Sequence, residues 1–228
     1  MQQRTKVSLF RAILTIFEGL HIMNKTIRWE LLKQAVVLFA AVLPALYGSP
    51  AKAADPGPVM VLVVYHSATG NTEKMAQRVA EGAKVVSGTS VVLKRVGEVS
   101  ANDLLSSDAV IVGSPVYFAN MSGEMKTFFD NWSLKFGLFQ DLKMRNKVGA
   151  AFATGGATSA GKEFTIIGIL VAMFNNQMII VSGGGGFGAS ATTGPDSPGI
   201  DEKELANARD LGKRVAEVAA VVKRGSGK

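Results

Sequence analysis

The sequence predicts an α/β domain, a three-layer α/β/α sandwich around a five-stranded parallel sheet, and three observations predict it. Apolar, β-branched runs alternate along residues 59–224 with segments whose apolar residues recur at helical spacing. Right-handed connections between parallel strands place such helices on both faces of one sheet. Loops rich in glycine or hydroxyl groups follow several of the strands, at the edge where parallel sheets bind their ligands.

The first half of the domain contains three predicted strands and two predicted helices. Residues 59–65 are almost wholly apolar, as in a strand that is covered on both faces of a parallel sheet, and residues 91–96 and 108–113 are the next two strands. From residue 72, and again over residues 122–132, apolar side chains fall on one helical face. The side chains expected in the core are Met75, Ala76, Val79 and Ala83 of the first helix, and Met125, Phe128, Phe129 and Trp132 of the second.

The second half continues the alternation. Residues 147–153 are the fourth predicted strand, residues 162–174 an apolar helix and residues 178–181 the fifth strand. Residues 201–223 form the last predicted helix, because its apolar residues return every three or four positions. Its inward-facing residues are Leu205, Ala208, Leu211, Val215 and Val218.

Composition excludes several classes of function. The chain has no cysteine, which excludes disulfides and thiolate chemistry, and its only histidines are His21 and His66. A multi-histidine metal site or a Ser/His/Asp triad is therefore not expected, and we predict no metal and no catalytic side chain.

Residues 1–53 hold seven of the 25 basic and two of the 18 acidic residues, so the net charge of the remainder is close to zero. Without a basic stripe, no nucleic-acid partner is expected.

Residues 23–53 have the layout of a cleavable export signal. Lys25, Arg28 and Lys33 precede an apolar run over residues 35–47, and Ala51-Lys52-Ala53 ends it. The run is shorter than the roughly 20 residues that span a bilayer, so cleavage after Ala53 and export, in a bacterium to the periplasm, are expected. If this leader is not a signal, the protein is cytoplasmic.

Three alternatives are open for residues 1–22, which precede a segment that already looks complete from Met23. They are a misassigned start, a long basic region of the signal, or an amphipathic surface helix. The remaining boundaries place a linker at residues 54–58, the α/β domain at residues 59–224 and a tail at residues 225–228.

The loop after the first strand combines hydroxyl groups and glycine with a helix start. Free backbone N–H groups and the helix dipole favour a phosphate there, and the Ser and Thr hydroxyls can donate to it, whereas a simple capped loop is the alternative. Neither GxGxxG nor GxxxxGK followed by Ser or Thr is present in this loop, which argues against a dinucleotide and against nucleotide hydrolysis. The loop residues are Ser67, Ala68, Thr69, Gly70, Asn71 and Thr72.

This SATGNT loop resembles the phosphate loop of flavodoxins, and residues 113–130 after the third strand narrow the match. These residues contain, in order, a proline, an aromatic residue, Asn-Met-Ser-Gly and Phe-Phe-Asp. This order resembles a motif of the WrbA family of NAD(P)H:quinone oxidoreductases, which are relatives of NADPH-dependent FMN reductases. The resemblance implies a flavodoxin-like fold, noncovalent FMN and NAD(P)H as reductant. It also implies an isoalloxazine site lined by Ser114, Pro115, Val116, Tyr117, Phe118 and Asn120, and the two aromatic residues offer surface to a flat ring.

Two later loops extend the resemblance. Thr154, Gly155 and Gly156 are similar to a family Ser-Thr-Gly run and are expected to contact the flavin or its ribityl chain. That family run ends in Gly-Gln-Glu, whereas this chain has Gly161-Lys162-Glu163. Residues 183–190 resemble the family Gly-Gly-x-Pro-Tyr-Gly-Ala-Thr, so the likeness covers residues 59 to about 219.

This chain also departs from the family. Family members carry His-His-Gly before the fifth strand, with the first histidine near the open face of the flavin, and this chain has Asn175, Asn176 and Gln177 instead. The segments that lead to residue 108 and to residue 187 are shorter, and the second lacks an insertion that helps to build the family tetramer. A homo-oligomer of unspecified size is one expectation.

The leading hypothesis is an FMN-dependent oxidoreductase that reduces quinone-like small molecules in two-electron steps. The alternatives are an exported flavodoxin-type carrier that serves a redox partner protein, and an FMN-binding module without turnover. The near-neutral domain favours the enzyme over a carrier, because carrier flavodoxins usually display an acidic docking face. His66 borders the phosphate loop, where it either faces the phosphate or is a partly exposed strand-end side chain.

Overall fold

The computed structural model describes residues 57–183, 185–194 and 199–226, together with six helical positions nearer the start. These six are Thr26, Trp29, Glu30, Lys33, Gln34 and Val36. Contacts divide the chain into two units, residues 1–52 and 53–228. Apart from the six positions, the predicted leader lies outside the described residues, as do most of the linker and the end of the tail. No helix in the described part of the chain combines the length and the apolar character that a membrane span needs.

The second unit alternates strands and helices in the predicted order. Its elements are β1 (Val59–Tyr65), α1 (Asn71–Lys84), β2 (Thr89–Arg95), α2 (Ala101–Ser106), β3 (Ala109–Tyr117), β4 (Asn120–Met121), α3 (Gly123–Leu134), β5 (Val148–Gly155), α4 (Lys162–Asn175), β6 (Ile179–Ile180), β7 (Ala189–Thr192) and α5 (Glu202–Gly225). The predicted helices at residues 72, 122, 162 and 201 all form. The short helix α2, which buries only Leu104, was not predicted because one buried residue leaves no periodic pattern.

The main part of the sheet is parallel, in the order β2-β1-β3-β5, and its fifth position is shared by β6 and β7. The short β4 pairs antiparallel with the end of β3. Tyr65 pairs with Gly113, and Pro115 pairs with Thr154, so the ends of β1, β3 and β5 meet at one edge. This confirms the predicted flavodoxin-like sandwich and places three candidate segments side by side. They are the first loop at residues 67–72, the second segment at residues 114–120 and the third segment at residues 154–163. All three lie beyond the carboxyl ends of their strands or at those ends.

The core has two parts, one on each face of the sheet. Val61 and Val63 pack with α1 and α5, whereas Leu62 and Val64 pack with α2, α3 and α4. The predicted helical stripes are buried, apart from a partly buried Val218, which confirms that the Met, Phe and Trp side chains of α3 are core residues. Because successive residues of a strand point to opposite faces, a strand that is covered on both faces is apolar throughout.

Two predicted strands are too short. β3 runs four residues beyond residue 113 to Tyr117, and β5 runs to Gly155, because Ser114 and Pro115 continue the parallel register with β5. The first residues of the second loop and of the third loop are therefore strand residues. A glycine-rich or proline-containing sequence hides such an extension.

The fifth strand is also divided. β6 pairs with the start of β5 and β7 pairs with its end, so the predicted strand at residues 178–181 supplies only the first half. The second half comes from Ala189–Thr192, after the glycine-rich segment. Small residues in a four-residue run give little strand signal, which explains why β7 was missed.

Candidate functional site

The first loop ends in a helix start that carries no side-chain cap. α1 begins after Gly70, whose φ of 86° lies in the left-handed region, and no side chain accepts a hydrogen bond from the first turn. In contrast, the side chains of Ser122 and Asp201 accept from the first turns of α3 and α5. The first turn of α1 thus presents N–H groups and the positive end of its dipole at the ligand edge of the sheet.

The hydroxyl groups of this loop differ in exposure and in their partners. Ser67 and Thr72 are buried, and Ser67 Oγ accepts from the Gly70 N–H at 3.1 Å. Thr72 Oγ1 lies 2.8 Å from Thr154 Oγ1 at the end of β5, which joins the first loop to the third segment. Ala68 and Thr69 are exposed, and Asn71 donates to Thr69 Oγ1 at 3.2 Å. Such a loop can enclose an anion with hydroxyls and N–H groups.

An arginine that the sequence analysis did not predict supports this loop from the neighbouring strand. Arg95 Nη1 donates to the Ser67 carbonyl at 3.2 Å, and Nη2 donates to Glu73 at 2.5 Å. Its guanidinium lies 5.5 Å from the centroid of the Tyr65 ring, and Tyr65 donates to Glu73 at 2.7 Å. Burial and the hydrogen bond to Glu73 raise the pKa of the Tyr65 phenol. The signal that could have found Arg95 is the parallel register, in which it pairs with Tyr65.

The second segment is a strand end and a tight hairpin. Tyr117 pairs with Asn120, and between them Phe118 and Ala119 have φ values of 48° and 61°. Two central residues with positive φ are typical of the two-residue turn that joins twisted antiparallel strands, although glycine or asparagine is usual there. Phe118 is fully exposed and Tyr117 is 42% exposed. An open cavity of about 490 Å³ is lined by Val116, Tyr117, Phe118, Met121 and Gly123.

A chain of hydrogen bonds connects this hairpin to His66. Ser114 Oγ donates to the Pro115 carbonyl at 2.8 Å and accepts from the Ser122 N–H at 3.0 Å. Ser122 Oγ in turn lies 2.9 Å from His66 Nδ1, and the His66 ring meets the Tyr117 ring edge-on at 6.0 Å. His66 is half-buried at the end of β1, as expected for a partly exposed strand-end side chain, and it also contacts the second segment. Ser122, a helix-capping serine that the sequence analysis did not assign, is the centre of this chain.

The third segment packs against the hairpin. Thr154 and Gly155 are buried at the end of β5, whereas Gly156 is exposed. Gly161 has a φ of 88°, and a Cβ there would lie 2.9 Å from Ala119 Cα. The structure therefore brings together all three predicted segments.

The positions at which the family carries histidines lie away from the three segments. Asn175 and Asn176 are at the far end of α4, about 20 Å along the helix axis from Gly161 at 1.5 Å per residue. Within one chain, the positions of the family histidines are therefore remote from this edge. Among the described residues, no group of three or more His, Asp or Glu could hold a metal ion.

FMN fits the arrangement of these residues. A phosphate would accept from the uncapped first turn of α1 and from the hydroxyls beside it. A flat ring would lie between the hairpin, with exposed Tyr117 and Phe118, and the buried end of β5 at Thr154 and Gly155. The phosphate subsite follows β1 and the ring subsite lies at the ends of β3 and β5, and these three strands are neighbours in the sheet.

Comparisons with known proteins agree with this arrangement. A family model described as NADPH-dependent FMN reductase matches residues 97–192. Proteins named NAD(P)H dehydrogenase (quinone) from Geotalea daltonii and Archaeoglobus fulgidus are 34% and 35% identical to this chain, and each match covers 70% of this chain and 96% of the relative.

Solved structures give the same result for the fold. The flavodoxin, WrbA-like protein from Agrobacterium tumefaciens is 29% identical with a TM-score of 0.61, and the match covers 71% of this chain and 97% of that one. A flavodoxin from the domain Archaea is 24% identical with a TM-score of 0.57, over 71% of this chain and 99% of its own. The resemblance in the loop sequences is thereby confirmed, and the chain belongs to the flavodoxin-like family of WrbA-type NAD(P)H dehydrogenases (quinone).

Proposed function

We propose that this chain is an FMN-binding oxidoreductase that transfers two electrons from NAD(P)H to quinone-like acceptors. The observation that carries the proposal is the meeting of three segments at one sheet edge, where Thr72 contacts Thr154 and Ala119 packs on Gly161. The names of both relatives, NAD(P)H dehydrogenase (quinone), support the choice of donor and acceptor.

The protein groups bind and orient in this proposal. Ser67 to Thr72 hold the phosphate with hydroxyls and N–H groups, while Arg95 holds the Ser67 carbonyl and so keeps the loop in place. The hairpin residues Tyr117 and Phe118 cover the ring, and Thr154 to Gly156 close its other side. When bound, FMN supplies the hydride acceptor and donor, so no side chain has to react.

Anaerobic mixing tests the function. The full chain, loaded with FMN, is mixed with NADH or NADPH, and the flavin absorbance is followed before and after benzoquinone is added. The proposal predicts bleaching by a nicotinamide and repeated recovery with quinone. A flavin that dithionite reduces but neither nicotinamide reduces would discard the reductase in favour of a carrier or a binding module.

A pair of matched variants locates the reaction. Phe118→Ser removes an exposed ring at the proposed site, whereas Val221→Ser removes an apolar side chain on α5 that is 61% exposed. We expect the first variant to lower quinone turnover at least several-fold and the second to leave it within twofold. Equal effects of the two variants would contradict the placement of the ring beside the hairpin.

Export is also part of the proposal. The basic residues Lys25, Arg28 and Lys33, the apolar run and Ala51-Lys52-Ala53 support a cleaved signal and a periplasmic location. Both relatives leave about 30% of this chain unmatched while covering 96% of their own length, so this chain has sequence that they lack. Sequencing the amino terminus of the protein from a periplasmic fraction should find Ala54, and recovery only from the cytoplasm would contradict export.

A homo-oligomer is supported by the outer face of α4. Phe164, Val171 and Phe174 are each at least 60% exposed on that helix. Apolar side chains in that number on one face favour association with another surface. Light scattering of the purified chain should give a mass above 24.0 kDa, and Phe174→Lys should reduce that mass.

A further inference from the structure

Lys162 is a buried cation within the third segment of the site. It is the first residue of α4 and is 8% exposed. Its Nζ donates to the Ala157 carbonyl at 3.2 Å and to Thr192 Oγ1 at 2.5 Å. The side chain passes directly beneath Gly155, because a Cβ on that glycine would lie 2.8 Å from Lys162 Cγ. The methylene part of the Lys162 side chain therefore packs under a residue that the sequence assigns to flavin contact, and the ammonium lies beyond it, between Ala157 and Thr192.

Among the carboxylates of the described residues, none is paired with this ammonium. Its two hydrogen bonds go to neutral oxygens, and no ion pair of the described residues includes Lys162. Glu204 accepts from the Thr192 N–H at 2.8 Å, so one carboxylate touches the same threonine without reaching the ammonium. An ammonium has three N–H donors, and one of them is left for another acceptor.

The position of Lys162 is electrostatically unfavourable on its own. α4 begins after Gly161 with no side-chain cap, so its first turn carries the positive end of the helix dipole. A lysine at the first helical position adds a like charge, and burial removes the water that would stabilise it. A nearby anion would relieve both penalties.

We propose that Lys162 is the resident cation of the flavin site and makes the site bind reduced FMN more tightly, relative to oxidised FMN, than it would without this charge. This inference rests on the proposed function. Hydride transfer from NAD(P)H moves two electrons and one proton to oxidised FMN, releases NAD(P)⁺ and leaves one extra negative charge on the ring. The positive charge of Lys162 stabilises that negative charge through space. Lys162 takes no proton in the step.

Binding measurements on both oxidation states test the inference. FMN dissociation constants are measured for the full chain, anaerobically, with oxidised FMN and with dithionite-reduced FMN. A unit charge near the ring, in a medium of effective dielectric constant about 20, changes the relative affinity on the order of tenfold. We therefore expect Lys162→Met to weaken binding of reduced FMN about tenfold more than binding of oxidised FMN.

Two further variants separate charge from structure. Lys162→Arg keeps the charge and should leave the ratio of the two constants within about threefold of wild type. Lys213→Met removes the charge of a half-exposed lysine on α5 and should leave the ratio unchanged. If Lys162→Met does not fold, as judged by circular dichroism, Lys162→Gln provides the neutral side chain.

The outcomes are distinguishable. If the neutral variants weaken both oxidation states by the same factor, Lys162 only holds the third segment and the inference is overturned. If Lys162→Arg changes the ratio as much as Lys162→Met, the charge is not responsible and the inference is again overturned. If the wild-type chain binds neither form of FMN, the proposed function itself fails.

Discussion

Replacing Thr72 by valine removes one hydroxyl group from the point where the first and third segments meet. Thr72 is 2% exposed and Thr154 is 3% exposed, and their hydroxyl oxygens are 2.8 Å apart. If Thr154 donates to Thr72, the Thr72 proton is free to point toward a phosphate. Valine has nearly the same shape, so Thr72→Val changes the hydrogen bonds and preserves the packing.

Two separate losses are expected from Thr72→Val. The Thr154 hydroxyl is left buried without its partner, which lowers the free energy of unfolding by about 1–3 kcal/mol. A hydrogen bond to a charged group contributes about 1.5–3 kcal/mol, so the loss of a phosphate donor should weaken FMN binding about 10- to 150-fold. The first loss depends on Thr154 and the second does not.

A double-mutant cycle separates the two losses. Urea denaturation of the cofactor-free chain gives stability, and fluorescence titration with FMN gives affinity. The double variant Thr72→Val, Thr154→Val removes both hydroxyls and should recover most of the stability lost by Thr72→Val. It should not recover the FMN affinity, because the phosphate donor is still missing.

Two results would refute this reasoning. FMN binding by Thr72→Val within twofold of wild type would mean that Thr72 does not contact the phosphate. Recovery of FMN affinity in the double variant would mean that the single variant acted through the orphaned Thr154 hydroxyl.

Three other perturbations test the hairpin, one helix cap and the end of the C-terminal helix. Phe118→Gly should raise the free energy of unfolding by about 0.5–1 kcal/mol, because glycine accepts the φ of 48° and the exposed ring makes little packing contact, while FMN binding weakens. Hydrogen bonds from Lys94 and then from Ser100 hold the pKa of Asp103 at about 2, below its ordinary 3.8. That stabilisation, about 2 kcal/mol, is present above the unfolded pKa of about 3.9 and is lost as the pH falls toward 2, so Asp103→Asn and wild type should converge there in urea denaturation. Lys223→Met should cost about 1–3 kcal/mol in the same assay, because Nζ binds Asp108 and the Pro58 carbonyl, both at 2.8 Å.

Each of these has a contradicting result. A destabilised Phe118→Gly would show that the ring packs in solution. A gap between wild type and Asp103→Asn that stays constant from pH 6 to pH 2.5 would show that the carboxylate does not contribute through its charge. Lys213→Met, a half-exposed helical control, should cost less than about 0.5 kcal/mol, and an equal cost for Lys223→Met would remove the role of its two contacts.

Much of the fold could be predicted because the signals are local and repeated. β1 is covered on both faces and is therefore apolar at nearly every position, and the α1 and α5 stripes meet each other on one face of the sheet. What was missed has no such pattern. The hairpin has Phe118 and Ala119 where a turn usually has glycine or asparagine, and β7 is four small residues after a glycine run.

The candidate site divides in the same way. Ser67 to Thr72 could be predicted because a phosphate loop needs hydroxyls, glycine and a helix start within a few residues. Arg95 and Ser122 could not, because their roles depend on pairing and packing between segments that are far apart in the chain. The loop order indicated which segments meet, and only the structure shows the bond between Thr72 and Thr154.

Helix capping links the stability of this fold to its ligand. α2, α3 and α5 begin at Ser100, Ser122 and Asp201, whose side chains accept from the first turn. α1 and α4 begin at Gly70 and Gly161 without such a cap, and these are the two helices that follow the first loop and the third segment. With glycine at these positions, each missing cap forgoes only about 0.3 kcal/mol relative to serine or aspartate. The same backbone donors remain available to an anion, so FMN binding would restore what the two glycines leave out and stabilise the folded chain.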